Sequence, residues 1–106
     1  MIIYNVTTKI ALAHEEAWLH WMQHEHIPAV LATGCFTEGR LLHLFENDDE
    51  EGATYATQYI ARSLDDYQRY IDEYSAALRQ QAIQQWGAHA ISFRTIMRQL
   101  GSFVEK

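Results

Sequence analysis

A helix that passes directly into a strand, over residues 18–36, is the sequence feature that most constrains the fold. This stretch holds two of the three tryptophans, three of the six histidines, the only proline and the only cysteine. Trp18 and Met22 share one helical face, whereas His20 and His24 fall on the opposite face. We therefore predict an amphipathic helix whose aromatic face is buried.

The end of this helix can also be predicted. Pro28 has no backbone donor and disfavours the helical conformation at Ile27, so we expect the helix to kink or restart there. Gly34 is a good helix terminator, and a strand follows it.

Three further strand patterns and one long helix complete the chain. Ser63, followed three residues later by Asp66, has the pattern of a capped helix start. Residue periodicity predicts strands at residues 2–8, 36–45, 54–61 and 89–97, and a second helix at residues 63–86. The order β-α-β-β-α-β in a single domain, residues 1–106, indicates the ferredoxin-like α+β fold, an antiparallel four-stranded sheet with helices on one face.

The second face of this sheet is unusually apolar for a surface that would meet water. The strand positions that we assign to it are Leu42, Leu44, Tyr55, Tyr59 and Ile96, beside Glu38, Arg40 and Arg94. Because helices cover one face only, we expect a second copy of the chain to cover the other, which gives a homodimeric α/β barrel. The alternative is a monomer with a semi-polar open face, which antiparallel sheets allow.

Composition excludes several classes of partner. Eight Lys and Arg against fourteen Asp and Glu give a net charge of -6, which disfavours nucleic acid and anionic membranes. No apolar run is long enough to span a bilayer, and the first residues lack the basic segment of a signal peptide. A single cysteine forms no internal disulfide, so a cytoplasmic location is expected.

Five short motifs carry a family resemblance. They are Trp-Leu-His-Trp-Met from residue 18, Glu-His-Ile-Pro from residue 25, Leu-Ala-Thr-Gly from residue 31, Tyr-Ala-Thr-Gln-Tyr from residue 55 and Phe-Arg-Thr from residue 93. With them the chain resembles a small bacterial family of uncharacterised domains, which is similar to the dimeric α/β-barrel superfamily. That superfamily includes antibiotic-biosynthesis monooxygenases, haem-degrading monooxygenases, muconolactone-isomerase-like proteins and ethyl tert-butyl ether degradation-type proteins. The resemblance implies the fold, a dimer and a pocket between helices and sheet, and it supplies no activity.

The haem-degrading relatives show where this resemblance ends. They use an asparagine on the first strand, which Asn5 matches, and an axial histidine on the second helix near a tryptophan. Residues 63–86 contain no histidine, which argues against haem binding in that mode, and no cofactor is predicted.

An aromatic and histidine-rich set of side chains is the best candidate for the lining of a pocket: Trp21, His26, His43 and Tyr59. His26 lies at the helix break, and a free histidine has a pKa near ~6.5, so it could act as an acid or a base. Alternatively, its ring hydrogen-bonds the carbonyls that the break frees and thereby holds the kink.

Two arginines and two further histidines offer other chemistry. Arg40 and Arg94 could hold an anionic substrate between two subunits, or they could pair with carboxylates such as Glu38. His20 and His24 have the i, i+4 spacing of metal ligands, but two ligands are too few, so we predict solvated histidines and no metal site.

Together these residues predict a homodimeric protein that binds a small molecule or serves in assembly. One alternative is a cofactor-independent monooxygenase or isomerase acting on a small aromatic or quinone-like substrate. Another is a metal-dependent version that uses the histidines. No catalytic residue is assigned, and the predicted ligand-binding residues are Asn5, Trp21, His26, Arg40, His43, Tyr59 and Arg94.

Overall fold

The computed structural model describes residues 1–106 and is built on a four-stranded antiparallel sheet. Its strands are β1 (Ile2–Ile10), β2 (Glu38–His43), β3 (Ala53–Ala61) and β4 (Ala90–Arg98). The first strand, rich in β-branched residues and without a breaker, pairs along its whole length with both β3 and β4. The resulting order, β2-β3-β1-β4, is that of the ferredoxin-like fold, so the predicted fold class is confirmed.

Four helices lie on one face of this sheet: α1 (Glu15–Trp21), α2 (Ile27–Ala32), α3 (Leu64–Glu73) and α4 (Ser75–Trp86). The hydroxyl of Ser63 accepts a hydrogen bond from the backbone N–H of Asp66 over 3.2 Å, as the capping pattern predicts. The predicted second helix is interrupted at Tyr74, whose φ is −127°. No Gly or Pro marks that break, so the residue pattern gave no signal for it. None of the helices has both the length and the apolar character that crossing a membrane requires.

A new helix begins at Ile27, as one of the two predicted outcomes requires, but the conformation of Ile27 differs from the prediction. Ile27 keeps helical dihedral angles, with φ −59° and ψ −46°. The chain instead forms a π-helical segment, Met22–His26, in the five residues that precede it. Pro28 then lies in the first turn of α2, where the backbone donor that proline lacks has no partner within the helix. π segments of this kind are frequent at functional sites.

The assignment of strand residues to the two faces is corrected by the register. Arg94 lies opposite Val6 and Tyr59 lies opposite Tyr4, so both point toward the helices. Tyr55 and Ile96 share that side. All four residues were predicted to lie on the other face. The reason is that both parities of β3 and of β4 carry apolar residues, so alternation alone leaves the inner side undecided.

The core between sheet and helices has two halves. One half contains Tyr4, Val30, Phe36, Tyr59 and Tyr70, together with smaller neighbours. The other contains Ile10, Trp18, Met22, Tyr55 and Trp86. Side chains from both halves face a common cavity.

Candidate functional site

The cavity between the helices and the inner face of the sheet has a volume of about 310 Å³. Most of the 18 residues that line it are hydrophobic, and six of them are aromatic: Tyr4, Trp18, Trp21, Tyr59, Tyr70 and Trp86. All three tryptophans of the chain are among them. Ile83, Gly87 and Arg94 also line the cavity and are exposed, so the cavity opens to solvent there.

Four of the seven residues predicted to bind a ligand line this cavity. Trp21 is the last residue of α1 and His26 is the last residue of the π segment, so both lie at the helix break and line the cavity. Tyr59 reaches the cavity from β3 and Arg94 from β4, each on the inward parity of its strand.

The other three predicted residues lie outside the cavity. Asn5 and Arg40 are on the outer face of the sheet, where Arg40 forms an ion pair with Glu38 of the same strand. His43 stacks on Tyr55 at the end of β2, with ring centroids 4.5 Å apart. Arg40 and Arg94 therefore occupy opposite faces of one sheet, and they do not face each other within the chain.

The imidazole of His26 packs flat against the indole of Trp21, with ring centroids 4.7 Å apart and planes inclined by 20°. Burial, and to a smaller extent the positive charge of Arg94, lowers the pKa of His26 from 6.5 to about 4. The ring is therefore neutral at pH 7. The burial of His26 depends on how the helices dock, which its position at the break does not reveal.

Two residues of the cavity wall, Tyr4 and Arg79, were not predicted from the sequence. The hydroxyl oxygen of Tyr4 accepts hydrogen bonds from Nη2 of Arg79 over 3.1 Å and from Nε of Arg94 over 2.9 Å. Arg79 is the only charged residue of α4, and this was the only feature of the sequence that could have singled it out. Tyr4, on the inward side of the central strand, reads from sequence as an ordinary core residue.

Four buried polar atoms lack a hydrogen-bond partner, and the residues that carry them all line the cavity. They are Oγ1 of Thr57, the hydroxyl of Tyr59, Nε of Arg79 and Nε1 of Trp86. Buried polar atoms are almost always paired in folded proteins, so such a concentration requires an explanation. Burial also raises the pKa of Tyr59 well above its usual value, which keeps its hydroxyl protonated.

No three His, Cys, Asp or Glu side chains come together in a way that suits a metal ion. The rings of His20 and His24, both exposed, lie with their centroids 4.3 Å apart and their planes inclined by 35°. This pair lies outside the cavity.

Comparison with known proteins supports the fold and supplies no activity. The model of a family described as a domain of unknown function (DUF4286) matches residues 1–100. The chain is similar to the crystal structure of an ethyl tert-butyl ether d (EthD) family protein from Bacillus halodurans C-125. The TM-score is 0.65 at 10% sequence identity, and the match covers 94% of this chain and 100% of that chain. At that identity the likeness shows the fold alone. No curated protein matches the chain.

Proposed function

The chain belongs to the DUF4286 family of domains of unknown function, and we propose that it binds a small, planar aromatic molecule in the cavity. The observation that supports this most is that the four buried atoms without partners belong to residues of one aromatic cavity. Ring faces offer stacking surfaces, and the polar edge of a ligand would satisfy the unpartnered atoms. Ligand sites commonly combine a mostly apolar lining with a few polar groups of this kind.

The volume of the cavity limits the size of the ligand. At about 310 Å³ it lies at the small end of the usual range for ligand pockets, roughly 300–1,000 Å³. A dry cavity of about 150 Å³ admits benzene. A ligand of one or two fused rings therefore fits.

Filling the cavity with a protein side chain should abolish binding. We expect 2-naphthol and 1,4-naphthoquinone, two uncharged probes, to shift the NMR signals of residues around the cavity. Ala82→Phe places a ring in the cavity from α4 and should weaken probe affinity by about tenfold or more, equivalent to about 1.4 kcal/mol. Ala76→Phe is the matched control, because Ala76 is exposed on the same helix and lies outside the cavity.

The proposal fails if neither probe shifts these signals at millimolar concentration. It also fails if Ala82→Phe and Ala76→Phe bind the probes as the unmodified chain does. Melting curves of both variants, measured without probe, separate lost binding from lost folding.

A catalytic version has one observation in its favour. His26 is neutral at pH 7 and faces the same cavity, so it is the candidate base for a cofactor-independent isomerase or monooxygenase. A pKa near 4 makes it a weak base at neutral pH, since general bases work best with a pKa close to the operating pH. We therefore place ligand binding ahead of catalysis. A metal-dependent version is not proposed, because the His20–His24 pair lies away from the cavity.

We also propose that two copies associate through the outer faces of their sheets. That face exposes Ile91 (70%) and Phe93 (62%) on β4 and Leu42 (42%) on β2. Apolar side chains of this size on one sheet face suit a self-complementary interface of roughly 800 Å² per copy. Of the apolar residues predicted for this face, Leu42 lies on it, whereas Tyr55, Tyr59 and Ile96 point inward.

A charge on that face should separate the copies. We expect sedimentation at micromolar concentration to show a dimer for the unmodified chain and a monomer for Phe93→Glu, because a symmetric interface would bury two unpaired carboxylates. Leu64→Glu is the control, as Leu64 is 49% exposed at the start of α3, on the helix side. Single chains in the unmodified sample would contradict the proposed dimer.

A further inference from the structure

Two arginines and one tyrosine form a cationic cluster in the wall of the cavity. Tyr4 comes from β1, Arg79 from α4 and Arg94 from β4, and both guanidinium groups donate to the one hydroxyl oxygen. The chain has four ion pairs, each between partly exposed side chains, and neither arginine takes part in any of them. The cluster therefore carries positive charge that no carboxylate of the chain offsets.

The charge of the cavity is opposite to that of the whole chain. The sequence has fourteen Asp and Glu, and none of them is among the 18 residues that line the cavity. Two of the eight Lys and Arg of the sequence, Arg79 and Arg94, do line it. The neighbouring imidazole of His26 is neutral at pH 7, so it neither adds to this charge nor cancels it. An anion in the cavity would meet two cations and no carboxylate.

The unmet hydrogen bonds of the cluster call for acceptors. A tyrosine oxygen accepts at most two hydrogen bonds, and here both arrive from the arginines, so the O–H of Tyr4 remains free to donate. Nε of Arg79 and Nε1 of Trp86 can only donate, and both are buried without a partner. A water molecule could accept these hydrogen bonds, but it would not offset the charge of the two guanidinium groups. An anion would do both.

We propose that Tyr4, Arg79 and Arg94 form an anion subsite that takes the carboxylate of a small aromatic acid, whose ring lies among the tryptophans. This inference rests on the proposed aromatic ligand and assigns the charged end of that same ligand. The planar fork of a guanidinium group matches a planar carboxylate in shape. A small cavity with a mostly hydrophobic lining also suits a singly charged planar group better than a strongly hydrated phosphate.

A matched pair of ligands tests the subsite. Indole-3-carboxylate and indole-3-carboxamide have the same ring and differ in charge, and their affinities for the full chain can be measured by titration calorimetry at pH 7. We expect the carboxylate to bind about tenfold or more tightly than the amide. Arg79→Gln should bring the two affinities within about twofold while the amide still binds, because one of the two cations is gone. Arg69→Gln is the control, since Arg69 lies on α3 outside the cavity.

Three further measurements complete the test. Arg94→Gln should repeat the loss of preference seen in Arg79→Gln, which protects the test if one variant does not fold. Tyr4→Phe should weaken the carboxylate more than the amide, because it removes the free O–H. Inorganic phosphate should not compete with the carboxylate at equal concentration.

The outcomes distinguish this inference from the proposed function. Equal affinities for the carboxylate and the amide in the unmodified chain would overturn the anion subsite and leave aromatic binding intact. A preference that survives in both arginine variants would overturn it as well, as would competition by phosphate. If neither indole binds, the proposed function fails and the subsite fails with it.

Discussion

Replacing Trp18 by alanine should lower the free energy of unfolding by about 3–5 kcal/mol, the usual cost of removing a buried tryptophan. Its side chain is 2% exposed and its ring centroid lies 5.3 Å from that of Tyr55. Because Trp18 also borders the cavity, the truncation enlarges an existing void that the surrounding side chains do not close. Urea denaturation at fixed protein concentration measures the effect. A loss of this size is a large part of the 5–15 kcal/mol typical of a domain.

The aromatic residue near the end of the chain provides the control for Trp18. Phe103 is 94% exposed, so Phe103→Ala should change the free energy of unfolding by no more than about 0.5 kcal/mol. A loss below about 1 kcal/mol for Trp18→Ala would mean that its indole contributes little to the core, contrary to its burial and its contact with Tyr55.

Acidification should destabilise the protein through His26, in the absence of any ligand. In the unfolded chain the pKa of His26 is about 6.5, and in the folded protein it is about 4. As the pH falls below 6.5 the unfolded state binds a proton that the folded state still excludes, so the stability present above pH 6.5 is lost progressively down to pH 4. Between pH 7.5 and pH 4.5 this loss is on the order of 2–3 kcal/mol. Urea denaturation across this pH range measures it.

The variant His26→Gln separates the contribution of His26 to the loss of stability in acid from the contribution of the carboxylates. His26→Gln keeps a polar side chain of similar size and removes the titration, so its stability should fall less steeply with acid than that of the unmodified chain. His20→Gln, at an exposed position on the same helix, should retain the original pH dependence. Parallel stability profiles for the unmodified chain and His26→Gln would show that His26 is not buried as a neutral ring.

Part of the candidate site could be predicted from the family resemblance and from the helix break. Trp21 and His26 were predicted because a helix rich in aromatic residues is interrupted beside them. Both residues line the cavity in the structure. Tyr4 and Arg79 were missed because each has a local explanation, the first as a core residue of a strand and the second as a polar residue of a helix. Their importance arises only from their contact with each other, 75 positions apart in the chain.

The features of this protein that follow from its sequence are those that depend on local residue patterns. The order of the elements, the cap at Ser63, the helix end at Gly34 and the ferredoxin-like class all follow from periodicity and turn chemistry over a few residues. The tertiary structure alone decided which parity of β4 faces the helices, and therefore that Arg94 meets Tyr4 inside the protein. A slip of one residue in strand pairing would turn Arg94 to the outer face. That pairing joins residues about 90 positions apart, so it depends on packing across the whole domain and not on any local pattern.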